Sequence, residues 1–248
     1  MRRFFFDPSS RKGDRVYLSE EESRHILKVL RLKSGDSIEL LDGLGAVYHA
    51  VITNVGRQVE VHIEGVAVKE AGEGPSVWVW QGILKGDKMD TVVQKCTELG
   101  VTGMIPFQSS RCQGKLDPVQ ARKKHERWRR IGLAACKQCL RLQMINIDAP
   151  AAYSESLSKK PADNAILRLL FWEEEKTTHL QDIPNIQNIS EASSLALMLG
   201  PEGGLTLEEV EQARQLGWRT VSLGDRILRA ETATLSAVSI VQYLAGNL

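Results

Sequence analysis

Leu199-Gly200-Pro201-Glu202-Gly203-Gly204 and Leu223-Gly224-Asp225-Arg226-Ile227-Leu228-Arg229-Ala230-Glu231-Thr232-Ala233 decide the fold. Each stretch opens where an apolar run ends and closes where a helical pattern begins. Ser194 to Leu199 precedes the first stretch and is apolar almost throughout, as a strand buried on both faces must be. Leu207 to Leu216, stopped by Gly217, follows it as a helix. Thr220 to Leu223 is the strand that leads into the second stretch, and Glu231 to Leu244 is the helix that leaves it. Strand, turn and helix, repeated, imply a parallel α/β sheet covered by helices on both faces. Ligands of such sheets bind beyond the carboxyl ends of the strands.

The same alternation extends upstream. Val77 to Gly82 and Met104 to Phe107 are predicted strands, as is Ala165 to Phe171. Asp87 to Leu99 is a helix ended by Gly100, and Pro118 to Leu140 is a long basic helix. The loop Leu84-Lys85-Gly86-Asp87-Lys88-Met89-Asp90 falls at the ligand-binding edge, with Asp87 as a candidate N-cap. Before residue 69 the pattern is different. Arg3 to Phe6, Arg15 to Leu18, Ser37 to Leu41, Ala46 to Asn54 and Gln58 to Val66 are β-rich and punctuated by Gly and Asp. One helix interrupts them, opened by a capping box of Ser19 and Glu22, with Ile26, Leu27 and Leu30 as its apolar stripe. Lys69 to Pro75 reads as a linker. The division expected is therefore a small β-barrel domain over 1–70 and an α/β domain over 75–248.

Composition excludes several classes. With 42% hydrophobic and 25% charged residues, the 248-residue chain can bury a sizeable core. The apolar part of the N-terminus is only Phe4 to Phe6, too short for a secretory signal, and no run is long enough to span a membrane. A cytoplasmic location is the expectation. The four cysteines are then reduced thiols. Cys136 and Cys139 form a C-x-x-C, but inside a helical stretch and with no second pair at zinc-finger spacing, so they read as partly buried thiols and no metal is expected.

Net charge is +1 but unevenly spread. Between Arg111 and Arg141 ten basic residues face two acidic ones, and the first 33 residues hold nine against five. Two basic patches on a near-neutral chain point to a polyanionic partner, against the alternative of a solvated helix face. The 199–204 turn is neither a Walker loop nor G-x-G-x-x-G, and a carboxylate at Glu202 would repel a phosphate. Its glycines instead let a ligand approach the backbone. In the second stretch, Glu231 complements the dipole of the following helix, and Arg229 either pairs with Glu231 or Glu202 or faces a substrate. The last helix is apolar on several faces, which requires cover from the fold or from a second subunit.

These residues, together with Met1-Arg2-Arg3-Phe4-Phe5, Ser23-Arg24-His25-Ile26, Val29-Leu30-Arg31, Lys85-Gly86-Asp87-Lys88-Met89, Gln94-Lys95-Cys96-Thr97-Glu98-Leu99-Gly100-Val101 and Ser110-Arg111-Cys112, resemble the RsmE family of bacterial rRNA methyltransferases, of the SPOUT superfamily. The resemblance covers the whole chain. It implies a PUA-like RNA-binding barrel followed by a methyltransferase domain with a trefoil knot, a homodimer, and S-adenosyl-L-methionine-dependent methylation of uridine N3 in 16S rRNA of the small ribosomal subunit. Cofactor-binding residues are then expected at Leu199, Gly200, Pro201, Glu202, Gly203, Gly204, Leu223, Gly224, Ile227, Leu228, Arg229, Thr232 and Ala233. RNA contacts are expected from Arg2, Arg3, Arg24, His25, Arg31, Lys85, Lys88, Arg111, Lys123, Lys124 and Arg127. Two departures stand out. Cys139-Leu140 follows Gln138 where the family usually has Ser-Gly, and Phe171-Trp172-Glu173 replaces a usual His-Pro-Glu.

The chemistry asks for two groups. Uracil N3–H is a weakly acidic imide, so its proton must leave and the anion's oxygens must be stabilised. Arg229 suits the second task because its planar guanidinium donates paired hydrogen bonds and stays charged. Glu231 is the candidate base, provided burial raises its pKa. A non-catalytic RNA-binding factor and a ribose 2′-hydroxyl methyltransferase are the competing readings. Cofactor binding separates the first from an enzyme, and nucleoside analysis separates the second.

Overall fold

The computed structural model describes residues 2–69, 74–112, 117–159, 166–184, 186–192 and 194–248. Residues 70–73 of the expected linker, Lys115 and Ala165 lie outside them. The chain divides into two units, Met1–Gly72 with Cys136–Met144, and Glu73–Ala135 with Ile145–Leu248.

The first unit has six strands: β1 (Arg3–Phe5), β2 (Arg11–Lys12), β3 (Arg15–Tyr17), β4 (Ser37–Leu41), β5 (Ala46–Val55) and β6 (Val59–Lys69). Their order is β1-β4-β5-β6-β3-β2, antiparallel except where β1 lies beside β4. Alternate residues point inward, so Ile38, Leu40, Ala50, Ile52, Val59, Val61 and Ile63 meet Phe4, Phe6, Val16, Leu18 and Ile26 in one cluster. Helix α1 (Glu20–Arg24) is capped by Ser19, whose hydroxyl accepts the Glu22 N–H at 3.2 Å. The reciprocal half of the capping box does not form. The Glu22 side chain is buried and pairs with Lys137 instead. The helix continues as π-helical turns over His25–Leu30 and ends at Arg31 with φ +53°.

The second unit holds β7 (Ser76–Gly82), β8 (Gly103–Gln108), β9 (Asn146–Ile147), β10 (Ala151–Ala152), β11 (Ile166–Phe171), β12 (Ser194–Leu199) and β13 (Arg219–Val221). All pair in parallel, in the order β10-β8-β7-β12-β11-β13 with β9 also beside β8. The helices are α2 (Lys88–Glu98), α3 (Pro118–Cys139), α4 (Tyr153–Ser158), α5 (Leu207–Gln215) and α6 (Ala230–Leu244). The strand period of two sorts the core into two faces. Leu195, Leu197 and Leu199 of β12 pack with Val92, Val93, Val238 and Val241 of α2 and α6. Ala196 and Met198 pack with Tyr153, Leu157, Val210 and Ala213 of α4 and α5. Polar tips inside this second face find partners: Tyr153 Oη donates to the Glu209 carbonyl at 2.6 Å and Trp80 Nε1 to that of Ser156 at 2.9 Å. The short elements β9, β10 and α4 were not expected from the sequence. Two-residue strands carry no readable period, and their pairing is fixed by β8, about forty residues away in the chain.

Two local features have energetic consequences. Helix α3 ends with Leu140 at φ +61°, while the Arg141 N–H reaches back to the Cys136 carbonyl at 3.1 Å. This is the left-handed C-terminal position that glycine ordinarily fills, and it coincides with the departure from Ser-Gly. The Leu140 side chain is exposed and offers little burial in return. Glu175, after β11, is buried. One oxygen accepts the Thr177 and Thr178 N–H groups and the Thr177 hydroxyl at 2.8–3.1 Å, and the other accepts the Thr220 hydroxyl at 2.7 Å. Burial alone would raise its pKa, but the hydrogen bonds from Thr220, Thr177 and Thr178 together hold it down to about 2.

Leu140→Gly should stabilise the protein by about 1 kcal/mol, read as a higher denaturation midpoint, because the left-handed strain disappears; a lower midpoint would mean the leucine side chain matters more than the strain. Because the folded pKa of Glu175 is depressed, its contribution is present above the ordinary carboxylate range and lost as pH falls from about 4.5 to about 2. The shift corresponds to roughly 3 kcal/mol. Glu175→Gln should therefore unfold more easily at neutral pH and lose much less stability than the parent between those two pH values. Parallel acid-unfolding slopes for the two proteins would show that the carboxylate is not stabilised as described.

Candidate active site

Three loops leave the carboxyl ends of adjacent parallel strands and surround one cleft. They follow β11, β12 and β13. The cleft encloses about 760 Å³ including its open mouth. Ten of the expected cofactor residues line it: Leu199, Gly200, Pro201, Glu202, Gly204, Leu223, Gly224, Ile227, Leu228 and Ala233. Gly203, Arg229 and Thr232 do not. Gly203 turns outward, and its carbonyl accepts Arg111 Nη1 at 3.2 Å. Thr232 is exposed on the first turn of α6.

The backbone of the 200–204 turn is tightly constrained. A side chain on Gly82, at the end of β7, would collide with the Pro201 nitrogen, so strand and turn touch backbone to backbone. Gly204 has φ +69°, and a Cβ there would fall on the Glu173 carboxylate. Gln81, fully buried beneath the turn, donates to the Gly82 carbonyl at 2.9 Å and to that of Gly200 at 3.4 Å, and its oxygen accepts the Thr234 hydroxyl of α6 at 2.7 Å. A second tie comes from Glu209 of α5. Its carboxylate accepts the Thr206 N–H at 3.0 Å and the Ser110 N–H at 2.8 Å, joining the loop after β12 to the loop after β8.

Phe171, Trp172, Glu173, Lys176, Ser222, Arg226 and Ala230 also line the cleft and were outside the expected set. Arg226 and Ala230 lie within the quoted second stretch. Phe171 to Glu173 were singled out only as a departure from the family pattern. A usable signal existed: Ala165 to Phe171 reads as a buried parallel strand, and its carboxyl end belongs to the same edge as the other two.

The charged residues are distributed unlike any simple Arg–Glu pair. Lys88, at the start of α2, places its Nζ 3.4 Å from Glu202 Oε1 and 3.3 Å from Glu231 Oε2. Glu202 Oε1 also accepts the Lys85 N–H at 3.1 Å. Arg229 precedes α6 as its N-cap, is exposed, and makes no ion pair or side-chain hydrogen bond among the described residues. Glu231 is held below the ordinary carboxylate pKa, first by its own backbone N–H and then by Lys88 and Arg229, which together outweigh burial. The raised pKa expected of a base at this position is therefore replaced by a lowered one.

Most expected RNA contacts are accessible. Arg2, Arg3, Arg24, Lys85, Arg111, Lys123 and Arg127 are exposed, and Lys124 is half-buried. Several already hold partners. Arg3 pairs with Glu39 at 2.8 Å, Arg127 with Asp90 and Asp87, and Arg2 donates to the Leu30 carbonyl. His25 stands edge-on to Phe4, and Arg31 is the left-handed residue that ends the first helix. Of the apolar residues of α6, Ala237, Val238 and Val241 are buried within the chain itself, whereas Ile240 and Tyr243 are exposed. No helix among the described residues is long and apolar enough to cross a membrane.

Comparison with known proteins completes the picture. The RNA methyltransferase domain family matches residues 72–242, and the RNA methyltransferase PUA domain family matches residues 18–64. Ribosomal RNA small subunit methyltransferase E of Bacillus subtilis is 32% identical over 249 residues, covering 98% of this chain and 96% of its own. The crystal structure of ribosomal RNA small subunit methyltransferase E from Neisseria gonorrhoeae, bound to S-adenosyl methionine, superposes with a TM-score of 0.83 at 34% identity, covering 98% of both chains. A Legionella pneumophila methyltransferase solved with bound SAM gives 0.82 at 32% identity, covering 97% of this chain and 96% of its own. With both units matched and relatives aligned end to end, the chain belongs to the ribosomal RNA small subunit methyltransferase E (RsmE) family of RNA methyltransferases.

Proposed function

We propose that the chain methylates N3 of a uridine in 16S rRNA of the small ribosomal subunit, using S-adenosyl-L-methionine bound in the cleft between the loops after β11, β12 and β13. The observation that carries this is the cleft itself, in a chain of this family. Its wall suits a ligand with an apolar ring system, hydroxyls and a zwitterionic end: Leu199, Leu223, Ile227 and Leu228 supply apolar surface, Glu173 and Glu202 accept hydrogen bonds, and Lys176 and Arg226 offer positive charge. The missing Cβ at Gly204 lets the Glu173 carboxylate lie against the turn in the cleft wall. When bound, the methyl sulfonium supplies an already activated methyl group, so the protein's work is positioning and charge stabilisation.

In this proposal Arg229 stabilises the uracil anion. It stands at the edge of the cleft-lining loop with no partner among the described residues. Glu231, ionised at neutral pH, accepts a proton only weakly, and its main part is to shape the charge around Arg229. Gly203 and Thr232 support the cofactor loops from outside the cleft. The basic residues of the first unit and of α3 contact phosphate, with Lys123, which has no partner among the described residues, costing least to engage. Residues 1–70, which with 136–144 make up the first unit, form a PUA-like RNA-binding barrel, and the domain over 75–248 carries the trefoil knot of the superfamily. The cytoplasmic enzyme pairs as a homodimer through Ile240 and Tyr243 of α6.

Incubating the protein with small ribosomal subunits and labelled cofactor should yield N3-methyluridine on nucleoside analysis; a 2′-O-methylated nucleoside, or none, refutes the assignment. Gly204→Ala should weaken cofactor binding by an order of magnitude or more, since alanine strains the left-handed backbone by about 1 kcal/mol or more and displaces Glu173 from the cleft wall. Calorimetry on a variant verified as folded by its melting curve provides the check, and unchanged affinity moves the site elsewhere. Arg229→Ala should lower the single-turnover rate by roughly a hundredfold or more with little change in cofactor affinity. Arg229→Lys should recover little, because an ammonium cannot reproduce the guanidinium fork.

A further inference from the structure

Lys88 occupies an unfavourable place. It is the first residue of α2, where the helix dipole repels a cation and favours an acid. What offsets that cost is a pair of carboxylates from two other loops, Glu202 at 3.4 Å and Glu231 at 3.3 Å. These are also the two acids that an unoccupied Arg229 would seek. Glu231 is two residues along the same helix start, close enough for Arg229 to act on its charge. Yet Arg229 has no ion pair among the described residues, while Lys88 holds both. The two cations and two carboxylates sum to zero charge, with one ammonium satisfying both acids and one guanidinium left over.

We propose that Lys88 is a positioning residue that occupies Glu202 and Glu231 and thereby keeps the Arg229 guanidinium unpaired for the substrate. This rests on the role of Arg229 given above. Removing the ammonium leaves two carboxylates around one guanidinium, and the nearer of them captures it. A captured Arg229 must break an ion pair before it can donate to the uracil oxygens, so the cost appears in the rate of the chemical step. The same ammonium ties the loop after β7 to the turn after β12 and to α6, so its second effect falls on the cleft rather than on RNA affinity. This distinguishes it from a phosphate contact, the role that its position in a basic loop first suggests.

The test is a double-mutant comparison on the full chain, with small ribosomal subunits and cofactor both saturating. Lys88→Met should lower the single-turnover rate at least about tenfold, a fraction of the roughly hundredfold expected from losing the Arg229 donor outright. In the Arg229→Ala background the same substitution should change the rate little, because there is no guanidinium left to capture. Lys88→Arg, which keeps the charge between the acids, should restore most of the rate. The salt dependence of RNA binding should be the same in Lys88→Met as in the parent. If Lys88→Met slows both backgrounds equally while Arg229→Ala alone is slow, Lys88 does not act through Arg229 and only this inference falls. A salt slope flattened by about 0.7–0.9, with an unchanged saturated rate, would mark Lys88 as a phosphate contact and overturn it as well. Near-normal turnover in Arg229→Ala removes the role of Arg229 and the inference together.

Discussion

Everything at the cleft depends on parallel pairing among β7, β12 and β11. Parallel strands must all present their carboxyl ends on one edge, and a sheet covered on both faces must bury every residue of its middle strand. Ser194–Leu199 meets that demand with all six residues buried. The turn that follows therefore starts from a fixed point. Its neighbours on either side, Gly82 and Phe171, are fixed with it by the register Leu199↔Gln81 and Phe171↔Leu199. Loops that are distant in sequence become adjacent without any interaction of their own. The polar ties, Gln81 to Gly200 and Thr234, Glu209 to Thr206 and Ser110, refine an arrangement that burial has already set.

The charge pattern is the part of the site that burial leaves open. Four ionised groups, Lys88, Glu202, Arg229 and Glu231, come from three loops and share a partly exposed rim. Pairs of this kind contribute little to stability. In the proposed mechanism their importance lies in which partner each group selects, because the group left without one is the group available to a substrate. The lysine at the start of α2 is held there by two acids from other segments, and the proposed role of Arg229 depends on that choice of partner.

Much of this was legible in the sequence because the signals are local. Ser37–Leu41 shows its alternation and Ser194–Leu199 its continuous apolar run within five and six residues, and their observed bounds coincide with the expected ones. The glycine turn and the 223–233 stretch announce themselves by composition at strand ends. What the sequence withheld is set by distance in the chain. Glu22 satisfies the local capping pattern but finds Lys137, more than a hundred residues on. Arg229 has Glu231 two residues away in sequence, yet that acid pairs with Lys88. The expected raised pKa of Glu231 failed chiefly because its own backbone N–H at the helix start favours the ionised form, with Lys88 from another element adding to it. The wall formed by Trp172, Glu173 and Lys176 was missed because its cue lies in position, at the carboxyl end of a predicted parallel strand, and not in composition.

The contact between Gly82 and Pro201 divides the cleft into parts of different stiffness. Backbone against backbone cannot yield without moving β7, so the floor of the cleft is preformed and presents the same shape with or without a ligand. The opposite wall, Gly224 to Ile227, is exposed and is not packed against other backbone in this way. Ordering costs on binding are thus concentrated in that one wall, which can adapt to what enters. For the proposed cofactor site, this assigns shape selectivity to the floor and adaptation to the rim.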